Sequence, residues 1–402
     1  MTSRILIVGA GFAGMWSALG AVRLLDQHGK ADDVEVAVIA PKPELHVRPR
    51  LYEVDAAGMK APLDALFDTV GVRFIHGSVS AIRAERGEVE ILAEDGSTSI
   101  LGYDRLVLAA GSQQLRPEIP GLLEHSFSVD QLEEAARLEA HIKDLARVPE
   151  SPARNTVVVA GGGFTGIETA AELPARLHAV LGEDAEVRVV IVERQSEIGP
   201  DLGAGPRPVI IKALQELGVE WKLGASVTAL DAHGLTLDTG ERIDANTVVW
   251  TTGLRANPLT DQISGDKDEH GRLHVERDLQ VNGDRRIFAT GDVARAATDD
   301  DGNYSKMSCQ HANNMGRSAG HNVAASLLGV PTLPYSQPKY VTCLDLGPWG
   351  AVYTEGWDRE VKMQGEEAKK LKHMINTVWI YPPAADRAEA LEAADPERII
   401  VA

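Results

Sequence analysis

Cysteine is nearly absent: the 402 residues contain two, Cys309 and Cys343. They form no CxxC pair and no cysteine metal-ligand spacing, so a disulfide scaffold and a metal site are excluded. Such scarcity suits a reducing cytoplasm. Positive charge is in deficit, with Lys plus Arg 40 against Asp plus Glu 59, a net −19. A surface of that sign repels phosphate backbones and anionic lipid, so nucleic acid is set aside as a partner. No apolar run approaches the roughly 18 residues of a membrane helix, and at most peripheral membrane contact is expected. The apolar start around Arg4–Val8 meets glycine too soon for a secretion signal. Apolar residues at 44% and charged residues at 25% are the mix of a soluble globular chain of two or three domains.

Glycine is plentiful, with 38 residues, and its placement carries the signal. The apolar run Arg4–Val8 reads as a buried strand, Gly9-Ala-Gly11-Phe-Ala-Gly14 as a turn, Met15–Leu25 as a helix and Val34–Ile39 as a second strand. The same order returns as Thr156–Val159, Gly161-Gly-Gly163-Phe164-Thr165-Gly166, Ile167–Leu181 and Val187–Val192. GxGxxG between a strand and a helix is a dinucleotide-binding turn. The first glycine permits the tight turn, the second lets a pyrophosphate approach, and the third lets helix and strand pack closely. The helix N-terminus then offers N–H groups and partial positive charge to the phosphates.

Two such turns imply two dinucleotides. A flavin and a nicotinamide are the natural pair, because hydride passes between them. Further strands end in small residues at Ala110–Gly111 and Thr252–Gly253, and a third at Gly291–Asp292. Asp292 is placed to accept hydrogen bonds from ribityl hydroxyls; its plainer role is a helix cap. Glu193 ends the second strand of the second unit, where an acid bonds a ribose 2′-OH and repels a 2′-phosphate, favouring NADH over NADPH. The first unit has Ala40 at that position, leaving Lys42 or another group to meet the ribose. The fold expected is α/β, with two Rossmann-like dinucleotide-binding domains and a small α+β C-terminal segment. Residues 1–120 and 272–330 are assigned to FAD, 121–271 to NAD(H), and 331–402 to a flavin lid or a homodimer interface. Pro117–Pro120 and Ala256–Pro258 read as the crossings, and the stretch after Pro382 as weakly ordered or surface-bound.

The sequence resembles the type II NADH dehydrogenases, single-subunit NADH:quinone oxidoreductases of the two-dinucleotide-binding-domain flavoproteins, over nearly its whole length. The resemblance rests on His46-Val-Arg48-Pro49-Arg-Leu-Tyr-Glu-Val54, Gly163-Phe-Thr-Gly-Ile-Glu168, Thr247-Val-Val-Trp-Thr-Thr-Gly253 and Cys309-Gln310-His311-Ala312-Asn-Asn314. It implies non-covalent FAD, with Arg48 and Pro49 along the flavin and Gln310, His311 and Ala312 near its ring. It implies catalytic roles for Glu168, Gln310 and a C-terminal lysine, for which Lys372 is the best match. A quinone or another small electron acceptor follows. His46 and His311 are read as packing residues rather than flavin attachment points. Two departures stand out: Asn314 and Cys309 occupy positions where Gln and Ala are expected, and the acidic end Asp386–Ala402 is unsuited to a basic membrane-surface helix. A cytoplasmic protein, loosely held at most to the inner membrane face, is expected. The alternatives are a reductase of a small redox protein such as a ferredoxin, or a low-turnover nucleotide-sensing flavoprotein. Disulfide-reductase chemistry is set aside because residues 11–40 hold no cysteine.

Overall fold

The computed structural model describes residues 3–398. Its first sheet has five parallel strands in the spatial order Ile287–Ala289, Arg105–Leu108, Ser3–Val8, Val34–Ala40, Arg73–His76. These strands run apolar with little alternation because both faces are covered. Val8 pairs with Ile39 on one side and Leu108 on the other, so three strand ends finish level beside the Gly9–Gly14 turn. In an open parallel sheet this carboxyl edge is where ligands bind. The helix Phe12–Gln27 lies over the sheet and packs along the helix Cys309–Leu328.

The second sheet repeats the plan in four strands, ordered Val219–Leu223, Arg188–Glu193, Thr156–Ala160, Thr247–Trp250. Ala160 pairs with Val192 and with Trp250, again level at the carboxyl edge. The chain passes between the two sheets through a small antiparallel pair, Ser112–Gln114 with Leu254–Ala256. Ala256, Leu259 and Ile263, at and just after the expected Ala256–Pro258 crossing, are buried in the first core.

After residue 331, the strands Val341–Asp345, Ala351–Glu355 and Glu360–Gly365 form an antiparallel sheet backed by the helix Glu366–Met374. This segment is shared between cores. Leu344, Leu346 and Val352 are buried with the second sheet, whereas Tyr335, Ile380 and Leu391 are buried with the first. The acidic end is surface-bound: Asp386 caps the helix Arg387–Ala393, which buries Ala390, Leu391 and Ala393. Arg317, 1% exposed, lies on the Trp16 ring and donates to the Ala393 carbonyl (2.8 Å). Arg23 pairs with Asp395 at 2.6 Å. The final residues, 399–402, lie outside the described ones.

Candidate active site

The two glycine turns are built alike. Gly9 and Gly161 both hold positive φ, 108° and 116°, which bends the strand end into the helix. A Cβ on Gly14 would overlap the Gly9 carbonyl, and one on Gly166 the Gly161 carbonyl. By contrast, a Cβ on Gly11 or Gly163 would have nothing within 4 Å. These two residues are the N-caps of their helices, and no side chain caps either one. The first-turn N–H groups thus face open space at the positive end of each helix, which suits a pyrophosphate. The donor sets fit the dinucleotides expected from the sequence.

Glu193 is buried beside the second turn and accepts from the backbone N–H of Gly162 (2.7 Å) and Gln195 (2.8 Å). Each carboxylate oxygen retains a further lone pair for a ribose hydroxyl. Arg194 next to it is exposed. Ala40 is buried at the equivalent place in the first unit, with Lys42 exposed nearby. Phe164 and Thr165 form the first turn of the second helix, and the Thr252 methyl abuts the Gly161 turn.

Asp292 sits in the turn Gly291–Val293, whose cap is Thr290 rather than Asp292 itself. Its carboxylate accepts from Ser112 Oγ (2.7 Å) and lies 3.7 Å from Arg48 Nη1. Arg48 also donates to Ser112 Oγ (3.2 Å) and to the Asp130 carbonyl (3.1 Å), and is paired with the Asp130 carboxylate. Arg48 therefore ties the segment beside Pro49 to the Gly111 and Gly291 turns, since a Cβ on Gly111 would lie 4.0 Å from its Nη1. Asn257 holds the backbone of this turn by donating to the Ala110 and Gly111 carbonyls (3.4 and 2.9 Å). Ser112 and Asp130 escape sequence reading because neither belongs to a motif.

Glu168 and Lys372, 204 positions apart in sequence, meet as a buried ion pair. Lys372 Nζ donates to Glu168 Oε1 (2.7 Å) and to the Cys343 carbonyl (3.0 Å). Glu168 is 4% exposed and Lys372 5%, so the lysine is not the solvated helix face that its two neighbouring lysines suggest. Burial pushes the Glu168 carboxyl up; Lys372 pulls it down and Asp345 raises it again, leaving it at about 7. Lys372 is raised by Glu168 despite its burial, so it stays charged. The Tyr52 and Phe164 rings flank its ammonium at 5.8 and 5.6 Å. Asp345 N–H donates to Glu168 Oε1 (3.0 Å), and the Asp345 carboxylate accepts from Tyr52 Oη (3.0 Å) and Lys369 Nζ (2.5 Å). Tyr52 lies in the His46–Val54 segment without being singled out there, and neither Asp345 nor Lys369 carries a readable motif signal.

The helix Cys309–Leu328 begins with Cys309, Gln310 and His311 after the cap Ser308. Gln310 Oε1 is buried without a hydrogen-bond partner. His311 is fully buried; Lys306 N–H donates to its Nδ1 (3.3 Å), and its Nε2 is a second orphan. Burial, Lys306 and Arg272 push this imidazole down to about 3, so it is neutral. Ala312 is buried beside Gly291. Asn314, at the position where Gln is expected, accepts from Arg317 (3.1 Å) and so turns toward the buried arginine. The Cys309 thiol is pushed up by burial, with Lys372 lowering it and Asp292 raising it, to about 11. Lys372 and Asp292 thus both act on the Cys309 thiol at the start of this helix. Both cysteines are free, and Cys343 is pushed up to about 12, so neither is a thiolate nucleophile. Among the described residues, no cluster of His, Cys, Asp or Glu could hold a metal. No helix among them is long and apolar enough to cross a membrane.

A chain with two such turns and a buried acid–lysine pair between them belongs to the pyridine nucleotide-disulphide oxidoreductase family, whose model matches residues 3–319. The resemblance to the type II NADH dehydrogenases stands as well. An NADH dehydrogenase-like protein of Mycobacterium tuberculosis is 46% identical over 398 residues, 98% of each chain. The demethylphylloquinone reductase of Synechocystis is 30% identical over 383 residues, 92% of this chain and 91% of that one. Type II NADH:quinone oxidoreductase of Staphylococcus saprophyticus is 27% identical over 94% of this chain. Among solved structures, NDH2 from Plasmodium falciparum in complex with NADH matches with TM-score 0.78 at 13% identity, over 98% of both chains. An NAD-dependent persulfide reductase from A. fulgidus matches with TM-score 0.72, but this chain spans 64% of that one. The likeness in fold thus covers 98% of this chain.

Proposed function

We propose that the protein is an NADH:quinone-type oxidoreductase that binds FAD non-covalently in the first unit and NADH in the second. The observation that carries this is the meeting of Glu168 and Lys372 beside the Gly163–Gly166 turn and the Cys309 helix start, where the two dinucleotides would face each other. The flavin, when bound, supplies the chemistry of accepting hydride and passing electrons on. The chain's own residues do the rest. Gly11 and Gly163 admit the pyrophosphates, Asp292 holds ribityl hydroxyls, and Glu193 selects a free ribose 2′-OH. Gln310 offers its unpartnered Oε1 as an acceptor to an N–H of the flavin, and His311, whose Nδ1 accepts from Lys306 N–H, offers its unpartnered Nε2–H as a donor to a flavin or quinone carbonyl. Glu168, held near neutrality, supplies a proton as the acceptor is reduced, while Lys372 keeps its charge and fixes the carboxyl in place. Residues 3–114 and 256–330 then form the flavin unit, 115–255 the nicotinamide unit, and 331–398 the cover over both. The two free thiols and the acidic surface-bound end support a cytoplasmic protein associated at most loosely with the membrane.

The test is spectroscopic. Purified protein should be yellow, bleach on anaerobic NADH and recolour when a soluble quinone is added. Bleaching without recolouring would remove quinone as acceptor. A colourless protein that FAD cannot reconstitute would overturn the reading.

A further inference from the structure

The Glu168–Lys372 pair is the inner end of a longer array of charges that reaches the surface. We propose that Asp345 and Lys369, backed by Glu172, are positioning residues that set the charge state of Glu168 and connect it to solvent. The proposal rests on the Glu168 role given above.

The geometry is specific. Asp345 ends the strand Val341–Asp345 and contributes twice: its backbone N–H donates to Glu168 Oε1 (3.0 Å), and its carboxylate lies buried behind that bond. The carboxylate accepts from Tyr52 Oη (3.0 Å), Gly347 N–H (2.8 Å) and Lys369 Nζ (2.5 Å). Lys369 lies one turn before Lys372 on the last long helix and also reaches Glu172 (3.3 Å). Glu172 lies one turn beyond Glu168 on the helix Phe164–Leu181. Two helices thus present matching pairs, Glu168 with Lys372 inside and Glu172 with Lys369 outside, with Asp345 between them. The exposure of the Lys369 side chain, 36% against 7% for Lys372, marks the outer pair as the one that meets water.

Charged groups surround Glu168 on several packed elements, with Glu139 of the neighbouring helix Leu132–Asp144 acting on Arg176. The helix carrying it adds Glu172 and Arg176, the latter donating to the Tyr52 carbonyl (2.9 Å). The strand adds Asp345 and the neutral Cys343 thiol, the C-terminal helix Lys369 and Lys372, and the segment near Arg50 adds Tyr52 and Glu53. Glu53 is paired with Arg50, accepts from Asn376 (2.9 Å) and acts on Tyr52 and Glu172. Glu168, Glu172 and Asp345 stand against Lys369, Lys372 and Arg176, so loss of any one member changes the field at Glu168. Asp345 raises the Glu168 carboxyl and Lys369 offsets Asp345, so removing them must act in opposite directions.

The experiment uses full-length holoenzyme. The Glu168 carboxyl is titrated by infrared difference spectroscopy, its band assigned by loss in Glu168→Gln, beside the pH profile of reoxidation by a soluble quinone. Asp345→Asn keeps the backbone N–H and should move the Glu168 midpoint down by about one pH unit. Lys369→Met should move it up by a similar amount, and Lys369→Arg should restore it. If Asp345→Asn fails to fold, Glu172→Gln at the half-buried outer position should still lower the midpoint. Shifts of opposite sign support the proposal. Shifts of one sign in both variants, or a fixed midpoint with lower turnover, overturn it and leave a packing role. A midpoint that moves while the reoxidation profile does not supports the proposal and defeats the proton-donating role of Glu168.

Discussion

The glycine turn of the second unit gives a sharp prediction, because two neighbouring glycines have opposite surroundings. A methyl at Gly163 meets nothing within 4 Å in the protein, whereas one at Gly166 overlaps the Gly161 carbonyl and comes within 2.9 Å of Thr251 Oγ1. Gly163 has φ −81°, which alanine adopts freely. Gly163→Ala should therefore cost the fold about 1 kcal/mol or less as an N-cap change, a shift of about 2–4 °C in melting temperature. Its methyl instead occupies the space left for the pyrophosphate. Overpacking costs about 1–3 kcal/mol, about a 5- to 160-fold loss of NADH affinity. Gly166→Ala should show the reverse, losing about 3 kcal/mol of stability through the backbone clash. The assay is anaerobic stopped-flow reduction of the flavin across NADH concentrations, beside thermal melting. A folded Gly163→Ala protein with unchanged apparent NADH affinity would refute the assignment of this turn to the nucleotide.

Four further outcomes follow from the site. Glu193→Ala should raise the ratio of NADPH to NADH kcat/KM about tenfold or more, since it removes the charge opposing a 2′-phosphate; an unchanged ratio defeats that role. Glu168→Gln should slow reoxidation by quinone more than reduction by NADH. In the parent protein, reoxidation should be fast while Glu168 is protonated and fall as pH rises through about 7; a flat profile argues against proton supply. Asp292→Ala should weaken FAD retention about tenfold or more by removing a charge-assisted acceptor, read as flavin loss on dilution. Cys309→Ser should leave turnover within about twofold, because a neutral thiol at about 11 contributes no nucleophile; loss of activity with flavin retained would reopen thiol chemistry.

The sheets and both turns were legible because their signals are local. A β-branched run, a glycine at fixed spacing and a helical period lie within about 30 residues of one another. Glu168 was legible for the same reason, sitting just past a turn. Its environment was not. Lys372, Asp345, Lys369 and Tyr52 come from three distant segments, and only the packing of the antiparallel sheet against the Phe164 helix brings them together. Lys372 in particular sits among lysines that look alike in sequence; which one turns inward depends on helix phase against a surface that the sequence does not display. Which sheet Ala256, Leu259 and Ile263 cover has no local mark in the sequence.

The first unit is stitched from both ends of the chain. Its sheet cannot be completed without Ile287–Ala289, its first helix lies along Cys309–Leu328, and the Arg387–Ala393 helix is pinned by Arg317 above Trp16. The second sheet, in contrast, is made from one continuous stretch. On a ribosome the middle of this protein can therefore settle while the Arg105–Leu108 edge of the first sheet and the outer face of the first helix wait for Ile287–Ala289 and Cys309–Leu328. The Gly9–Gly14 turn at the head of that helix belongs to the waiting part. A change in the Arg387–Ala393 helix should therefore be felt at the first helix, near the opposite end of the sequence.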